Sequence, residues 1–120
     1  MENVIDTNLG EVETKFAELV WEHVPVKTTD LIQLCSEQLG WKRTTTYTVL
    51  KKFCNKKIFS VENRIVTALV TKEEFCGRKS EKFIEDTFNG SLSAFLSAFA
   101  SVRQMSEQEI EEIKKLIDEF

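Results

Sequence analysis

The residues whose types and spacing could carry a function lie in a basic, hydroxyl-rich stretch, residues 42–64. It holds seven Lys or Arg residues and one acid, although the chain of 120 residues has a net charge of −4. Its run 43–48 combines an arginine, a tyrosine and four threonines. Cations attract phosphate groups, and hydroxyl groups bond to phosphates and base edges. A nucleic-acid backbone is therefore the first partner that this stretch predicts.

The rest of the chain is acidic, so the positive charge is local. Residues 1–41 have a net charge of −6 and residues 81–120 a net charge of −5. The net charge of the whole chain hides this patch, and its distribution is the better guide to a partner.

The spacing of apolar residues places the basic stretch in a helix-turn-helix. We predict a first helix in 9–23, and a second that Thr28 or Thr29 caps and that ends at Gly40. A third helix of roughly 44–56 follows after a short connection. Its apolar side carries Thr46, Val49, Leu50 and Phe53. Two helices joined by a short turn with glycine are typical of a helix-turn-helix.

Two segments rich in β-branched residues come next, 58–61 and 65–70. With Asn63 near the tip between them, they predict a β-hairpin. A hairpin directly after a recognition helix is a wing. Arg64, beside the tip, is placed to reach a minor groove or a phosphate.

These elements predict a DNA-binding surface. The cations expected mostly to contact phosphates are Lys42, Arg43, Lys51, Lys52, Lys56 and Arg64. The candidates to reach base edges or thymine methyls are Thr44, Thr45, Tyr47 and Thr48. Two plainer interpretations stay open: the basic stretch is only a solvated surface, and Tyr47 belongs to the core.

Residues 72–120 return to a helical pattern rich in phenylalanine. The pattern predicts a helix from Lys72 to about Asn89, a short helix up to Val102 and a last helix capped by Ser106. Short helices cannot enclose so many apolar side chains alone, so this surface predicts a homodimer interface. Its residues are Phe83, Phe88, Leu92, Phe95, Leu96, Phe99, Ile110, Ile113, Leu116 and Ile117. The alternative is the core of a single monomer.

Little in the chain suggests catalysis or a bound group. We expect no metal, no cofactor and no enzyme, because no nucleophile–base arrangement, glycine-rich phosphate loop or cluster of metal ligands appears. The lone histidine, His23, is expected at a helix C-terminus. The cysteines, Cys35, Cys54 and Cys76, are expected to be ordinary buried or half-buried residues, with redox sensing as the alternative.

The cysteine pattern and the apolar runs also bear on location. An odd number of widely spaced cysteines argues for a reducing compartment. The N-terminus lacks the pattern of a signal peptide, and the apolar stretches are too short to span a membrane. We therefore expect a cytoplasmic protein without a membrane segment.

The sequence thus predicts a mostly α-helical chain with a small β-hairpin. We assign a winged helix-turn-helix DNA-binding domain to residues 1–71 and a C-terminal helical dimerisation region to residues 72–120. The alternative is a winged-helix protein-interaction module that does not bind DNA. Binding of single-stranded nucleic acid or RNA is a weaker option, since Tyr47 is the one obvious stacking residue of the basic stretch.

Several stretches, in order and at similar spacing, resemble the penicillinase-repressor family of winged-helix regulators. The resemblance covers about residues 9–120 of the chain. The matching positions are Leu19, Val20, Trp21, Trp41, Thr45, Thr48, Leu50, Lys52, Lys56, 83–84, 88–92 and 105–112. The family includes the β-lactamase, methicillin-resistance and copper-transport repressors.

The resemblance implies a dimeric repressor. It places the helix of residues 44–56 in the major groove and the wing over the backbone, with the C-terminal helices holding the dimer. The operator implied is a two-fold related sequence upstream of a resistance, transport or stress operon. In several members a membrane-bound metallopeptidase sensor triggers cleavage of the repressor at an Asn-Phe bond, and this chain departs from that pattern with Ala98-Phe99 at the same position. The resemblance therefore also implies a sensor protease as a partner.

The chain departs from the family pattern around the turn and the wing. Lys42-Arg43 stands where Ser-Pro is frequent, Lys57 where a glycine usually precedes the wing, and Val66 where an aromatic residue is frequent. The cysteine pairs of the copper-responsive members are absent from the sequence. These departures bear on the geometry of the wing and on the operator sequence.

Overall fold

The computed structural model describes residues 6–120, which form six helices and three short strands. In chain order these are α1 (Glu11–His23), β1 (Val26–Lys27), α2 (Thr28–Leu39), α3 (Arg43–Asn55), β2 (Phe59–Glu62), β3 (Ile65–Ala68), α4 (Lys72–Phe88), α5 (Leu92–Val102) and α6 (Glu107–Asp118). Residues 1–5, which we assigned to the first domain and searched for a signal peptide, lie outside the described residues.

The predicted fold class is confirmed: the chain is mostly helical with a small sheet. It divides into two compact units, one reaching to Ser80 and the other running from Glu81 to Phe120. The first unit contains the helix-turn-helix and the wing. The functional division at residues 71 and 72 stays a prediction.

The sheet has one strand more than predicted. Its order is β1-β3-β2, and both pairs of strands are antiparallel. Val26 of β1 pairs with Val66, and Lys27 pairs with Ile65. Sequence reasoning missed β1 because two residues directly after a proline are too few to show strand alternation.

The two ends of α2 differ in how well they were predicted. Gly40 ends the helix in the left-handed conformation, at φ 67°, and the N–H of Trp41 donates to the carbonyl of Cys35. The predicted cap at the start is wrong, because Lys27 holds the cap position and Thr28 is a buried residue of the helix. The backbone N–H of Thr28 donates to the carbonyl of Arg64 over 3.0 Å. The turn between β2 and β3 thus supplies an acceptor to the start of α2.

Aromatic rings fill the core of the first unit. Phe16 lies between Trp41 and Phe53, with centroid distances of 5.5 and 5.2 Å, and Phe53 stacks on Phe59 at 5.4 Å. The indole N–H of Trp21 donates to the carbonyl of Val70 over 2.9 Å. These contacts attach α1 and α3 to the wing.

Left-handed residues shape the wing. Asn63 and Arg64, with φ of 52° and 64°, form the two-residue turn between β2 and β3. Both positive values match the type I′ turn that suits a hairpin. Lys57, where the family resemblance indicates glycine, also has a positive φ, 64°. A side chain there is strained, because Cβ crowds the backbone in this conformation.

Local hydrogen bonds define the helices of the second unit. Ser91 caps α5 by accepting from the N–H of Ala94, and Ser106 and Glu109 form the predicted capping box of α6. The N–H of Ser106, and then Arg103, hold the pKa of Glu109 below its usual value. No residue from 81 to 120 is buried.

The described residues also bear on the membrane question. Within 6–120, no helix has the length and apolar character needed to cross a bilayer.

Candidate nucleic-acid interface

One side of α3 packs into the core and the other meets solvent. Thr46, Leu50 and Phe53 are buried on the inner side. The exposed residues of this helix include Thr44, Thr45, Tyr47, Thr48, Lys51 and Lys52. The predicted inner and outer faces of this helix are therefore confirmed, and its start at Arg43 lies one residue before the predicted one.

Tyr47 lies on the outer side, with 41% of its surface exposed, so the interpretation of Tyr47 as a core residue is wrong. The guanidinium carbon of Arg43 lies 5.6 Å from the centroid of its ring. Residues four apart on a helix lie on the same face. A cation and an aromatic ring thus share the first turns of α3.

The threonine hydroxyls of α3 differ in what they can offer a ligand. Thr48 donates its hydroxyl hydrogen to the carbonyl of Thr44 over 2.9 Å. Its oxygen and methyl group remain for outside contacts. Thr44 and Thr45 make no side-chain hydrogen bond in the described part of the chain. They can therefore both donate and accept toward a ligand.

The predicted cationic residues fall into two groups. Lys42, Arg43, Lys51 and Arg64 are exposed and make no ion pair within residues 6–120. Lys52 pairs with Glu13 at 3.6 Å, and Lys56 pairs with Asp6 at 3.5 Å. We refer to these groups as the free cations and the acid-paired lysines.

The acid-paired lysines bring two acidic residues next to α3. The N–H of Asn8, and then Lys56, hold the pKa of Asp6 below its usual value. Sequence reasoning missed Asp6 and Glu13 as neighbours of the site, although the acidity of residues 1–41 gave a signal. Exposed ion pairs of this kind contribute about 0–1 kcal/mol to stability. A competing anion can therefore displace them at small cost.

The wing is anchored to the end of α3. The N–H of Ile58 donates to the carbonyl of Phe53 over 3.0 Å, and that of Leu69 donates to the carbonyl of Ile58 over 2.9 Å. Arg64 stands exposed at the far end of the hairpin. The base of the wing is thus fixed to the helix that carries the candidate base contacts.

The residues predicted to form a dimer interface lie on α5, on α6 and on the last two turns of α4, which belong to the second unit. Phe83, Phe88, Phe95 and Phe99 form a chain of ring contacts with centroid distances of 5.6 to 6.2 Å. We call these four residues the exposed phenylalanine cluster because none of them is buried: Phe83 is 50% exposed and the other three are half-buried. The remaining residues of the set are Leu92, Leu96, Ile110, Ile113, Leu116 and Ile117. None of the ten is buried, so they do not form an enclosed core within one chain.

The comparison with known proteins identifies the family. The model of the penicillinase repressor family matches residues 9–119 of this chain. The chain belongs to the penicillinase repressor family. Its members are transcriptional repressors and not enzymes, which supports a role for this family member in transcription regulation and repression.

Two curated relatives of this family member cover most of its length. The penicillinase repressor of Bacillus licheniformis is 24% identical over 115 residues, which are 92% of this chain and 90% of the relative. The methicillin resistance regulatory protein MecI of Staphylococcus aureus is 20% identical over 114 residues, 92% of this chain and 93% of the relative.

The three cysteines of this repressor-family chain differ in exposure: Cys35 is buried, Cys54 half-buried and Cys76 exposed. Burial raises the pKa of the Cys35 and Cys54 thiols. Cys76 is exposed, so the expectation that all three cysteines are covered is wrong. His23 ends α1 as predicted, with Nδ1 2.9 Å from the carbonyl oxygen of Leu19. Within residues 6–120, no three His, Cys, Asp or Glu residues cluster as metal ligands would.

Proposed function

We propose that this chain is a homodimeric repressor that binds a two-fold symmetric DNA operator, with α3 in the major groove and the β2–β3 wing over the backbone. The observation that carries the proposal is the outer face of α3. There a helix-turn-helix, in a chain of net charge −4, presents free cations, hydroxyl groups and an exposed aromatic ring on one surface. Membership of a repressor family agrees with it.

Phosphate contacts position such a protein on the duplex. Lys42, Lys51 and Arg64 suit this role because they are exposed and carry charge that no described acid neutralises. The N-cap residue of α3, Lys42, makes no side-chain capping hydrogen bond, so no cap side chain occupies the first backbone N–H groups of the helix. These N–H groups and the helix dipole favour a nearby phosphate.

Base contacts would come from the first half of α3. Thr44 and Thr45 offer free hydroxyl groups, and Thr48 offers a methyl group and an acceptor oxygen. Hydroxyl groups bond to several base edges, and threonine methyls contact thymine methyls. These residues lie near the N-terminus of the recognition helix, the part that reads bases in helix-turn-helix proteins.

The acid-paired lysines would contact DNA at a higher cost than the free cations. Lys52 must break its ion pair with Glu13 before it can neutralise a phosphate, and Lys56 must break its ion pair with Asp6. The attraction to DNA is thus offset in part by a lost ion pair within the protein. We infer that Lys51 contributes more to DNA affinity than its neighbour Lys52.

The homodimer is the second part of the proposal. Exposed apolar side chains on the second unit support it, because such patches often mark an interface. They include Phe83, Leu92, Ile110, Leu116 and Ile117. A second copy of the same surface would cover it with two-fold symmetry. Two linked α3 helices would then bind two half-sites about one helical turn apart.

A sensor protease stays a prediction from the family resemblance. The Ala98-Phe99 bond lies inside α5, and the ring of Phe99 contacts Phe95 and lies 5.3 Å from the guanidinium carbon of Arg103. A cut at this bond would break α5 into two pieces and separate Phe99 from the other three residues of the exposed phenylalanine cluster. We propose that such a cut would weaken the dimer.

The proposal is tested by selecting bound sequences from a random duplex library at moderate salt. We expect enrichment of a two-fold symmetric motif. If no motif is enriched by protein that is folded and dimeric, the proposal is wrong and the alternative of a protein-interaction module gains support.

Salt dependence gives a second test with matched variants. With about three or four phosphates neutralised per protomer, affinity should fall by about 10³–10⁵ between 50 and 200 mM salt. Lys51→Ala should weaken binding more than Lys52→Ala, although each removes one charge from adjacent positions of α3. A flat salt dependence contradicts the phosphate contacts. Equal losses contradict the inferred role of the Lys52–Glu13 pair.

A further inference from the structure

Arg43 differs from the other free cations in having a ring beside it. Its guanidinium carbon lies 5.6 Å from the centroid of the Tyr47 ring, one helical turn further along α3. Both side chains lie on the exposed side of the helix. A cation at this distance from an aromatic face is attracted by the ring quadrupole. Of the four free cations, Arg43 is the one for which this contact is found in the described residues.

The contact with Tyr47 leaves the hydrogen-bonding capacity of Arg43 unused. The guanidinium makes neither an ion pair nor a hydrogen bond within residues 6–120. A planar fork of N–H donors is thus held at the start of α3 and stays available for an external acceptor. An arginine whose position is already restricted loses less conformational entropy when it binds.

The position of Arg43 favours a base over a phosphate as that acceptor. It is the first residue of α3, and the N-terminal residues of a recognition helix contact base edges. Guanine presents the acceptors O6 and N7 side by side in the major groove, and an arginine can bond to both. Lys42 and Lys51 lie nearby in sequence for phosphate contacts without such a ring.

We propose that Arg43 is a specificity-determining residue that reads a guanine in each half-site through O6 and N7, and that Tyr47 is a positioning residue that orients its guanidinium. The inference rests on the proposed function, recognition of double-stranded DNA. It gives Arg43 a role different from the phosphate contact that its charge alone predicts.

The test repeats the duplex selection with full-length Arg43→Ala, Arg43→Lys and, as matched control, Lys42→Ala. The wild-type motif should contain a guanine whose replacement by adenine weakens binding roughly 5- to 150-fold. Arg43→Ala should lose this preference and keep the rest of the motif. Arg43→Lys should weaken the preference, because an ammonium group can approach O6 and N7 but lacks the planar fork that Tyr47 orients. Lys42→Ala should weaken binding to all sequences alike and keep the preference for guanine.

The role of Tyr47 is tested by the same ratio of affinities for guanine and adenine. Tyr47→Ala should lower the ratio, and Tyr47→Phe, which keeps the ring, should restore it relative to Tyr47→Ala. A variant that merely folds less well would bind both the guanine-containing and the adenine-containing DNA more weakly, and the ratio of the two affinities would not change. If Tyr47→Ala leaves the ratio unchanged, the positioning role is wrong.

The outcomes separate this inference from the proposed function. If the wild-type protein selects a symmetric motif and Arg43→Ala selects the same motif with a smaller salt dependence, Arg43 is a phosphate contact. The inference is then overturned and the proposed function stands. If the folded wild-type protein selects no motif, both are overturned.

Discussion

Each of the two units of this chain contains a cluster of aromatic rings, and the clusters differ in their exposure to solvent. In the first unit Phe16, Phe53 and Phe59 are fully buried. In the second, Phe83 is 50% exposed and no ring of the exposed phenylalanine cluster is buried. Aromatic rings are thus fully buried within the chain in one unit and left partly exposed in the other.

The difference shows where the stability of each unit comes from. The first unit joins helices to a sheet, and long-range contacts such as Trp21 to Val70 close its core. The second has well-capped helices, but isolated helices of this length are marginal in water. We therefore expect the first unit to be stable by itself and the second to depend on association.

The largest effect is expected in the first core. Phe53→Ala should lower the free energy of unfolding by about 3–5 kcal/mol, because it leaves a cavity among packed rings. Urea denaturation followed by tryptophan fluorescence measures this, since Trp21 and Trp41 both contact the core. The control is Phe120→Ala, whose side chain is 96% exposed. Similar losses for the two variants would contradict the assigned core.

Phe95→Asp should act on association and leave the first unit folded. A carboxylate in the exposed phenylalanine cluster would be buried without a partner in the proposed dimer, so the protein should become monomeric by light scattering. Operator affinity should then fall by about 10²–10⁴ as bivalency is lost. Replacing Leu96 by Asp should act likewise.

The control for this experiment is Ala94→Asp, which adds the same charge on the far side of α5 by helical spacing. It should remain dimeric. A Phe95→Asp variant that stays dimeric by light scattering shows that the interface is assigned wrongly.

Removing a helix cap in the second unit should have a smaller effect on stability than the changes to packing above. Ser106→Ala removes the acceptor for the N–H of Glu109 and should destabilise α6 by about 1 kcal/mol. Thermal melting followed by circular dichroism should show this loss in the helical signal, with the tryptophan transition of the first unit unchanged. Ser97→Ala, inside α5, should cause no loss. A shift of the tryptophan transition would mean that the two units do not unfold independently.

The smallest predicted effect tests strain in the first unit. Lys57→Gly should stabilise it by about 0.5–1 kcal/mol, because glycine adopts a positive φ without a Cβ clash. Lys57→Ala is the matched control, because it removes the same charge and keeps a Cβ at the positive φ. Lys57→Ala should not stabilise the protein. If the two variants change the unfolding free energy in the same direction, backbone strain at Lys57 is not the cause.

Local patterns in the sequence predicted the helices well. Gly40 ends α2 and Ser106 caps α6 as expected, since both depend on a few neighbouring residues. The outer face of α3 followed from helical periodicity. The strand β1 was missed because its two residues show no alternation and because its partner, β3, is distant in sequence. The pairing of Lys52 with Glu13 was missed for the same reason: a charge pattern along the chain does not reveal which acid folds next to which base.

The bond from the N–H of Thr28 to the carbonyl of Arg64 ties the turn of the wing to the first residue of α2. The wing and the helix-turn-helix are therefore braced against each other before any ligand arrives. In the proposed complex the wing and the helix-turn-helix would keep their relative positions, so the DNA would have to change its groove width and curvature to contact both elements. Operators with base steps that deform at low energy would then bind more tightly, even at positions that no side chain contacts.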